Sequence, residues 1–406
     1  FGDFQIFDGA ITYPCIFIMR KASSEKEFLV SVLESSSSFD FESHVAFIAE
    51  SFNAESFSGE TWVISSNLDV KILDRLKVKF KTLSQSINGE ANYGIKSGLT
   101  DAFIIDEQKR NEIVKNDPRA AEIIHPVLRG RDIIPWYGIH QGAYMICTFP
   151  ALNINIESYP SVESFFLEFG KHRLEQTGKP GSRKKTNNKW FETQDTIAYY
   201  RDFYGPKIMY QRFQVKPCFI YDETGSYCND SMWIIPTNKK GLTGVLNSKM
   251  GWWLITKYCT QIQNGCQLIW KYFGQIPVPN LDNAIELEEK ASLRISITPD
   301  LETIKTQFLN HLQSKFYIPK SSTKLKNWPT LDFKGFLGEL KKAKVKLSLS
   351  EEADWMDYFN EQKAKAQELQ TEITRIDQEI DQLVYALYGL TEEEIKIVEG
   401  DNNGKI

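Results

Sequence analysis

The fold class is decided by three short apolar runs: Ile208-Met209-Tyr210, Phe219-Ile220-Tyr221 and Met232-Trp233-Ile234-Ile235. Each run is rich in β-branched and aromatic residues, and each is bounded by residues that favour turns, which is typical of strands. The segment Asp222–Gly225 follows the second run and predicts a turn between two of the strands. Strands this close together in the sequence favour antiparallel pairing.

The pattern of the three runs extends outward, from about Asn88 to Pro279, as short apolar runs separated by Gly, Pro, Asn and Asp. Helices are predicted at Asp106–Val114 and at Gly241–Tyr258. Helices and strands in this order indicate an α+β fold with a mixed or antiparallel sheet, followed by a helical C-terminal region.

A narrow apolar stripe marks the C-terminal region. Its members recur at steps of three and four residues: Ala366, Leu369, Ile373, Ile376, Ile380, Leu383 and Leu387. This spacing predicts a long helix packed along one line. Ser350, followed by Glu351 and Glu352, is the predicted N-cap, and Gly389 is the predicted stop. We expect the partner to be a helix around Leu287–Phe316 of the same chain, rather than a second copy.

The chain begins with a nearly continuous apolar run, Thr12–Met19, which is typical of a strand buried on both faces. One or two strands cannot bury such faces alone, so we expect the chain to be a fragment of a longer protein. Residues 33–60 resemble a connector with one short strand. The predicted organisation is an N-terminal remnant with its connector at 1–85, an α+β domain at 86–285 and a helical region at 286–406.

The composition of the 406 residues, with 42% hydrophobic and 25% charged, is typical of globular proteins. No apolar run approaches the ~20 residues that span a bilayer, so a membrane protein is not expected. The cysteines lack CxxC spacing and the five histidines lack metal-ligand spacing. We therefore expect no metal site, and we interpret most of the cysteines as core residues of a cytoplasmic protein.

Charge is segregated along the chain although the net formal charge is −5. Residues 171–216 contain eleven Lys and Arg against four Asp and Glu, a local charge of +7. Residues 351–400 contain four Lys and Arg against fourteen Asp and Glu, a local charge of −10. Because binding to phosphates depends on the local surface, the first segment favours a nucleic-acid partner.

The strongest local signal for a nucleic-acid interface is the basic run Lys179–Lys189, which precedes Trp190-Phe191-Glu192. Its candidate DNA-binding residues are Arg183, Lys184, Lys185, Asn187, Asn188 and Lys189. Lysine and arginine bind phosphates, and Asn can pair with adenine through two hydrogen bonds. We expect a mobile loop beside a groove for duplex DNA. A solvated surface loop without this function is the alternative.

A second candidate cluster lies on the first predicted strand. Alternation would place Lys207, Met209 and Gln211 on one face and Ile208, Tyr210 and Arg212 on the other. Lys207, Gln211 and Arg212 are therefore added to the candidate DNA-binding residues. The alternative is a sheet strand whose charged ends are only solvated.

Motifs for catalysis are not found in the sequence. A methyltransferase acting on adenine needs a glycine-rich cofactor loop and an Asn/Asp-Pro-Pro-aromatic turn, and neither is present. Asp300 and Glu302 with Lys305 have the wrong spacing for a metal nuclease, and we expect this segment to open a helix after Pro299. No catalytic residue and no cofactor site are predicted within this chain.

Several stretches, taken in order, resemble the TaqI-like C-terminal specificity domain and its flanks. They are Ser97–Asp106, Ile123–Ile133, Lys189–Glu192, Pro206–Ile208, Val245–Lys249, Ile276–Pro279 and Asp381–Leu390. Phe1–Arg20 is similar to the last hairpin of the methyltransferase domain that precedes it in these proteins. Within Leu128–Asp132 we expect a structural role, with Gly130 in a tight turn, Asp132 bonded to backbone amides and one arginine able to reach a phosphate.

The resemblance implies sequence-specific recognition of double-stranded DNA for an adenine (N6) methyltransferase or a type IIG restriction–modification enzyme. The implied partner is the protein's own N-terminal methyltransferase domain, which would use S-adenosylmethionine. A phage-defence methyltransferase without nuclease activity is one alternative. Another class is a protein–protein module in which the acidic helices bind a partner subunit.

Overall fold

The computed structural model describes residues 18, 21, 27–30, 50–53, 67–87, 90–262, 264–318 and 321–400. The predicted strand Thr12–Met19 lies outside these ranges except for Ile18, and Cys15 lies outside them too. The strand expected within residues 33–60 is present at Glu50–Asn53, where it pairs antiparallel with Glu27–Val30.

The strands in chain order are β1 Glu27–Val30, β2 Glu50–Asn53, β3 Lys81–Thr82, β4 Asn92–Tyr93, β5 Ile104–Asp106, β6 Ile124–Leu128, β7 Ile133–Ile134, β8 Tyr137–Gly138, β9 Ala143–Ile146, β10 Lys207–Gln211, β11 Phe213–Gln214, β12 Phe219–Asp222, β13 Tyr227–Cys228, β14 Met232–Pro236, β15 Thr260–Ile262, β16 Gly265–Gln267 and β17 Pro277–Val278. The helices are α1 Asn67–Lys79, α2 Leu83–Ser86, α3 Thr100–Phe103, α4 Glu107–Asn116, α5 Pro160–Glu168, α6 Lys171–Leu174, α7 Lys240–Asn247, α8 Lys249–Tyr258, α9 Trp270–Phe273, α10 Ile285–Lys315, α11 Thr323–Lys326, α12 Phe333–Lys342, α13 Leu349–Tyr388 and α14 Glu392–Glu399.

The central sheet has the strand order β12-β10-β14-β4, and all its pairs are antiparallel. The three apolar runs are therefore neighbours in one sheet, as predicted. Ile208 and Tyr210 belong to one hydrophobic core, whereas Met209 belongs to another on the opposite face. Because both faces of β10 are buried, the strand has no exposed polar face.

A second sheet has the order β13-β6-β9-β5, with β13 parallel to β6 and the other pairs antiparallel. The turn at Asp222–Gly225 leads from the central sheet into this second sheet, because β13 pairs with β6 and not with β12. Helices pack around both sheets. The predicted α+β class with a mixed sheet is confirmed.

Two predicted helices of the α+β part are present. Asp106 caps α4 by accepting a hydrogen bond from the Lys109 amide at 2.8 Å, so the helix begins where expected. The second prediction, Gly241–Tyr258, is interrupted at Ser248. The Ser248 hydroxyl oxygen accepts from the Gly251 amide at 3.0 Å, which makes this residue the N-cap of a new helix, α8.

The long C-terminal helix α13 packs along α10, and the buried residues of its stripe include Ile373, Ile376 and Ile380. The predicted intramolecular partner is thus confirmed. The stop at Gly389 is confirmed by its left-handed φ of +64°. The start is two residues earlier than predicted, because Ser348 and Glu351 form a capping box there.

Pro299 lies inside α10 and does not precede a helix, which corrects the expected helix start at this proline. The helix continues past it because Leu301, Phe308 and Leu312 beyond the proline are buried, and this packing outweighs the lost backbone hydrogen bond. Glu302 and Lys305 form an ion pair along this helix at 2.6 Å.

The helical region contributes to two cores. Ile376 and Ile380 pack with Ile208 of the central sheet and with Leu242 of α7. Farther along, Phe308 and Phe359 belong to a separate core with α11 and α12. Helices and strands from both sides of the predicted boundary at residue 285 therefore share the first core. The described cysteines are buried and free, which confirms their interpretation as core residues: Cys147, Cys218, Cys228, Cys259 and Cys266.

Candidate nucleic-acid interface

The basic loop, which we define as residues 175–195, is organised around Arg183. Its guanidinium donates from Nε to the Leu174 carbonyl at 2.8 Å, from Nη1 to that of Ser97 at 2.7 Å and from Nη2 to that of Trp190 at 2.7 Å. Burial lowers the pKa of Arg183 to about 10, so the group remains charged at neutral pH. With 4% of its surface exposed, Arg183 cannot reach a phosphate, which corrects its prediction as a DNA contact.

Gln176 is the second buried anchor of the loop. Its Nε2 donates to the carbonyl oxygens of Lys189 at 3.2 Å and Glu192 at 3.0 Å, and its Oε1 accepts from the Thr186 hydroxyl at 2.7 Å. The Thr186 amide also donates to the Gln176 carbonyl oxygen at 3.1 Å. These bonds join both ends of the loop and hold its backbone in a defined conformation. The expected mobility of the loop stays a prediction.

Lys184 and Lys185 project from this frame and are exposed. Within the described residues, neither ammonium group takes part in a salt bridge or a hydrogen bond. Neither ammonium group therefore has a direct partner among these residues, although the charge of Lys184 acts on the Asp195 carboxyl group. A free lysine on an ordered backbone suits binding of phosphate, because little order must be created when the ligand arrives.

The other predicted polar residues of the loop differ in their availability. Asn187 is exposed. Asn188 is half-buried, and its Nδ2 donates to the carbonyl oxygens of Thr193 and Gln194 at 3.0 Å each, so it holds the loop together. We correct the prediction of Asn188 as a base-reading residue. Lys189 is exposed and lies 3.7 Å from the Glu192 carboxylate, so its charge is partly balanced.

Lys207 is fully buried at the end of β10. Its Nζ donates to Oδ2 of Asp222 at 2.6 Å and to the Phe203 carbonyl oxygen at 2.8 Å. A buried ammonium group must be paired, because leaving water is costly for an unpaired charge. Lys207 is therefore a structural residue, which corrects its prediction as a DNA contact.

Gln211 and Arg212, at the other end of the strand, are more accessible. The Gln211 side-chain amide donates to the Gly130 carbonyl oxygen, which fixes its orientation. Arg212 is exposed, and its guanidinium lies within 3.2 Å of the Gln267 side-chain amide. Of the three residues predicted on this strand, Arg212 is the one placed to meet a ligand in solution.

The segment Leu128–Asp132 is mainly structural, as predicted. The buried carboxylate of Asp132 accepts from the Arg129 amide at 2.9 Å and from Arg129 Nε at 2.6 Å. Gly130 does not adopt the positive φ that its expected role implied. A Cβ there would lie 3.1 Å from Gln211 Nε2, a tight contact with the end of that side chain. Arg131 is exposed, so it joins the candidates for phosphate contact.

Charge interactions and hydrogen bonds link the segments that carry the two predicted clusters. Burial raises the pKa of the Asp195 carboxyl group. The positive charges of Lys96 and Lys184 lower this pKa, and the negative charge of Asp230 raises it. The next residue, Ser231, accepts a hydrogen bond from the Gly130 amide at 3.2 Å. Its carbonyl oxygen accepts from the Arg212 amide at 3.3 Å.

We define the basic face as the exposed residues Lys96, Arg131, Lys184, Lys185 and Arg212. The sequence patterns missed Lys96, and they predicted for Arg131 only that one arginine of its segment could reach a phosphate. Lys96 stands alone in the sequence, and Arg131 lies in a segment whose glycine and aspartate indicate a turn. Their contribution depends on tertiary contacts that bring distant loops together around the turn at Asn229–Ser231.

Two segments of the chain match known family models, and the first of them contains most of the basic face. Residues 125–278 match the family model of the TaqI-like C-terminal specificity domain. The predicted resemblance is confirmed for this segment. The TaqI-like segment, as we call it, contains the whole basic loop, together with Arg131 and Arg212. Residues 280–384 match a second model, a domain of unknown function (DUF8810).

Two solved structures are similar to parts of the chain. The type IIL restriction-modification enzyme MmeI in complex with DNA is 12% identical, with a TM-score of 0.39, and the match covers 76% of this chain and 34% of that one. The type IIG restriction endonuclease BpuSI is 13% identical, with a TM-score of 0.36, and the match covers 60% of this chain and 30% of that one. The chain therefore spans about a third of the length of each.

No curated protein matches the chain at a significant level. Among the described residues, every helix is too short or too polar to cross a lipid bilayer.

Proposed function

We propose that the chain recognises a DNA sequence on behalf of an adenine-specific (N6) DNA methyltransferase or a fused restriction–modification enzyme. The observation that carries the proposal is the position of Lys184 and Lys185. These two unpaired lysines lie on a backbone fixed by Arg183, inside the segment that matches a specificity domain. The same segment supplies Arg131 and Arg212 of the basic face.

The exposed side chains of the basic face and its neighbour Asn187 suit two different kinds of contact with DNA. Lys184 and Lys185 are point charges that neutralise phosphates and fix the position of the protein on the duplex. Asn187, exposed beside them, has the donor and acceptor that an adenine edge in the major groove requires. An arginine such as Arg212 suits a guanine edge or a phosphate, because its fork offers two parallel donors.

The methyl transfer itself belongs to a separate domain in this proposal. An N-terminal methyltransferase domain would bind S-adenosylmethionine, and the chain would hold the duplex so that the target adenine turns out of the stack into that domain. The residues described here bind and orient the duplex. Within the described ranges, no group of three or more Asp, Glu, His or Cys could hold a metal ion.

The proposal is tested by a salt titration of duplex DNA binding. Replacing Lys184 and Lys185 together with Ala should make the negative slope of log K against log salt less steep, by ~0.9 for each phosphate that is no longer neutralised. The same change should weaken binding to every DNA sequence alike. Lys365→Ala is the matched control, because Lys365 is an exposed lysine on the acidic helix, paired with Glu361. It should bind like the wild type.

The thermal midpoint of each variant reports whether its fold is intact. If the double-lysine variant follows the wild-type titration at every salt concentration, the basic loop is not part of the DNA interface. If the wild type itself fails to bind duplex DNA at low salt, the proposed function is wrong.

A further inference from the structure

The helical region carries a second concentration of positive charge that the TaqI-like segment does not include. Residues 321–346 contain seven lysines, one aspartate and one glutamate, a local formal charge of +5. All seven lysines are exposed. We call them the lysine face: Lys324, Lys326, Lys334, Lys341, Lys342, Lys344 and Lys346.

The charge of the lysine face is largely unbalanced. Lys342 lies 2.7 Å from the buried carboxylate of Glu339, which also accepts from the Ser322 hydroxyl at 2.6 Å. In the described part of the chain, the other six lysines form no salt bridge. A group of unpaired like charges repels itself, so a polyanion that covers it relieves that repulsion.

An aromatic core holds the lysine face in place. The Trp328 ring stacks on Phe308 with a centroid distance of 4.0 Å, and Phe336 stacks on Phe359 at 4.9 Å. Trp328 and Phe336 are fully buried. The lysines therefore extend from α11, α12 and the turn after α12, which are fixed against the long helices α10 and α13.

Gly338 lies in the middle of α12, between two of these lysines. A Cβ at this exposed position would meet no atom within 4 Å, so the packing of the chain does not require glycine. Glycine also destabilises a helix interior relative to alanine. Lys334 lies four residues before it and Lys341 three residues after it, on the same face of the helix. The result is a strip of bare backbone between two lysines, which a ligand could approach closely.

We propose that the lysine face binds the phosphate backbone of duplex DNA outside the recognised sequence. The segment that carries the face, residues 321–346, contains seven lysines and no arginine. Lysine is depleted in protein–protein interfaces, whereas arginine and aromatic residues are enriched there. Lysine binds phosphate as a point charge, and a contact to phosphate carries no sequence information. This inference rests on the proposed function and extends it to a second, sequence-independent contact.

A duplex-length series tests the lysine face. The full chain is titrated with duplexes that contain the same central sequence and are extended by successive helical turns. The wild type should gain affinity when the duplex becomes long enough to reach the lysine face. Replacing Lys334 and Lys341 together with Ala should remove that gain in affinity. It should also make the salt dependence of binding to the long duplex less steep, by ~0.9 for each phosphate that the two lysines neutralise.

Two variants at Gly338 separate folding from binding. Gly338→Ala should retain or raise the thermal midpoint, because the added methyl group meets open space. Gly338→Glu should fold equally well and bind the long duplex more weakly, because its carboxylate repels phosphate. Lys365→Ala remains the control and should behave as the wild type on every duplex.

The failures of the two proposals are distinguishable. If the wild type binds no duplex, the proposed function and this inference are both wrong. If the wild type binds but the Lys334/Lys341 and Gly338→Glu variants match it at all lengths, only the lysine face is excluded. A change in self-association measured by sedimentation, with DNA binding unchanged, would instead assign the face to a protein contact and overturn the DNA contact.

Discussion

The Nζ atom of Lys207 lies 2.6 Å from Oδ2 of Asp222, across the β10–β12 pair in which the two residues are direct partners. Asp222 also accepts from the Ser226 amide at 3.1 Å, so the pair ties the turn after β12 to the central sheet. This buried contact explains why a lysine that the sequence placed on a DNA-facing strand contributes instead to the stability of the fold.

Replacing Lys207 with Met should therefore lower the free energy of unfolding by about 3–5 kcal/mol, because the carboxylate of Asp222 would be left buried without its partner. Urea denaturation measures the change. Lys216→Met is the control at an exposed lysine of the same region and should shift stability by less than about 0.5 kcal/mol. Equal stability of the two variants would contradict the structural role of Lys207.

Arg183→Lys should also destabilise the chain, although it keeps the charge. A lysine cannot reproduce the three N–H donors that join Leu174, Ser97 and Trp190, and a single charged hydrogen bond contributes about 1.5–3 kcal/mol. The thermal midpoint should fall, and the basic loop should become sensitive to proteolysis. A variant with wild-type stability and an intact loop would show that Arg183 does not hold the frame.

Replacing Ile376 with Ala should cost about 2–5 kcal/mol, the range for core truncations that leave a cavity. Ile376 is fully buried between the long helices and the central sheet. Gln378→Ala, two residues along the same helix and exposed, should change stability by less than about 0.5 kcal/mol. A small effect at Ile376 would mean that the helix packs less tightly than described.

Asp381 predicts a pH dependence of stability. Burial raises its pKa from 3.8 to about 6, against the opposing effect of the Lys249 amide, which donates to Oδ1 at 2.9 Å. The folded state therefore holds the proton more tightly than the unfolded state. Its contribution to stability is present below about pH 4 and is lost as the pH rises to 6. Asp381→Asn should remove this loss. In urea denaturation, the free energy of unfolding of the variant should therefore rise relative to that of the wild type between pH 4 and 6. Parallel stability curves would contradict the raised pKa.

The isolated chain should neither bind S-adenosylmethionine nor methylate DNA, because its sequence contains no glycine-rich cofactor loop and no Asn-Pro-Pro-aromatic turn. Calorimetry with the cofactor measures this directly. Micromolar binding to the chain would place the methyl donor here and would refute the division of tasks between the chain and a separate catalytic domain.

The elements that the sequence predicted well are those with a local signal. The three apolar runs of the central sheet are strands because their composition and bounding residues are local properties. The stripe at Ile373, Ile376 and Ile380 predicted both the long helix and its intramolecular partner. Ser248 was missed as a helix break because the apolar pattern continues through it while the backbone changes direction.

The candidate site was harder to predict because a charge count does not show which charges are neutralised. Arg183 lies in the most basic run, yet one of its partners is the Ser97 carbonyl oxygen, 86 residues earlier. Lys207 is paired with a residue on a different strand. Lys184, Lys185 and Asn187 remain available, and only the fold distinguishes them from their structural neighbours.

Selection from a pool of randomised duplexes tests the central claim most directly, because it measures sequence recognition without assuming a target. We predict that the chain enriches one defined sequence, which it then binds at least ~10³-fold more tightly than the unselected pool at physiological salt. The Lys184/Lys185 double-alanine variant should bind that sequence more weakly without changing its identity. A retained pool with the same base composition at every position as the starting pool would contradict the claim that this chain recognises a DNA sequence.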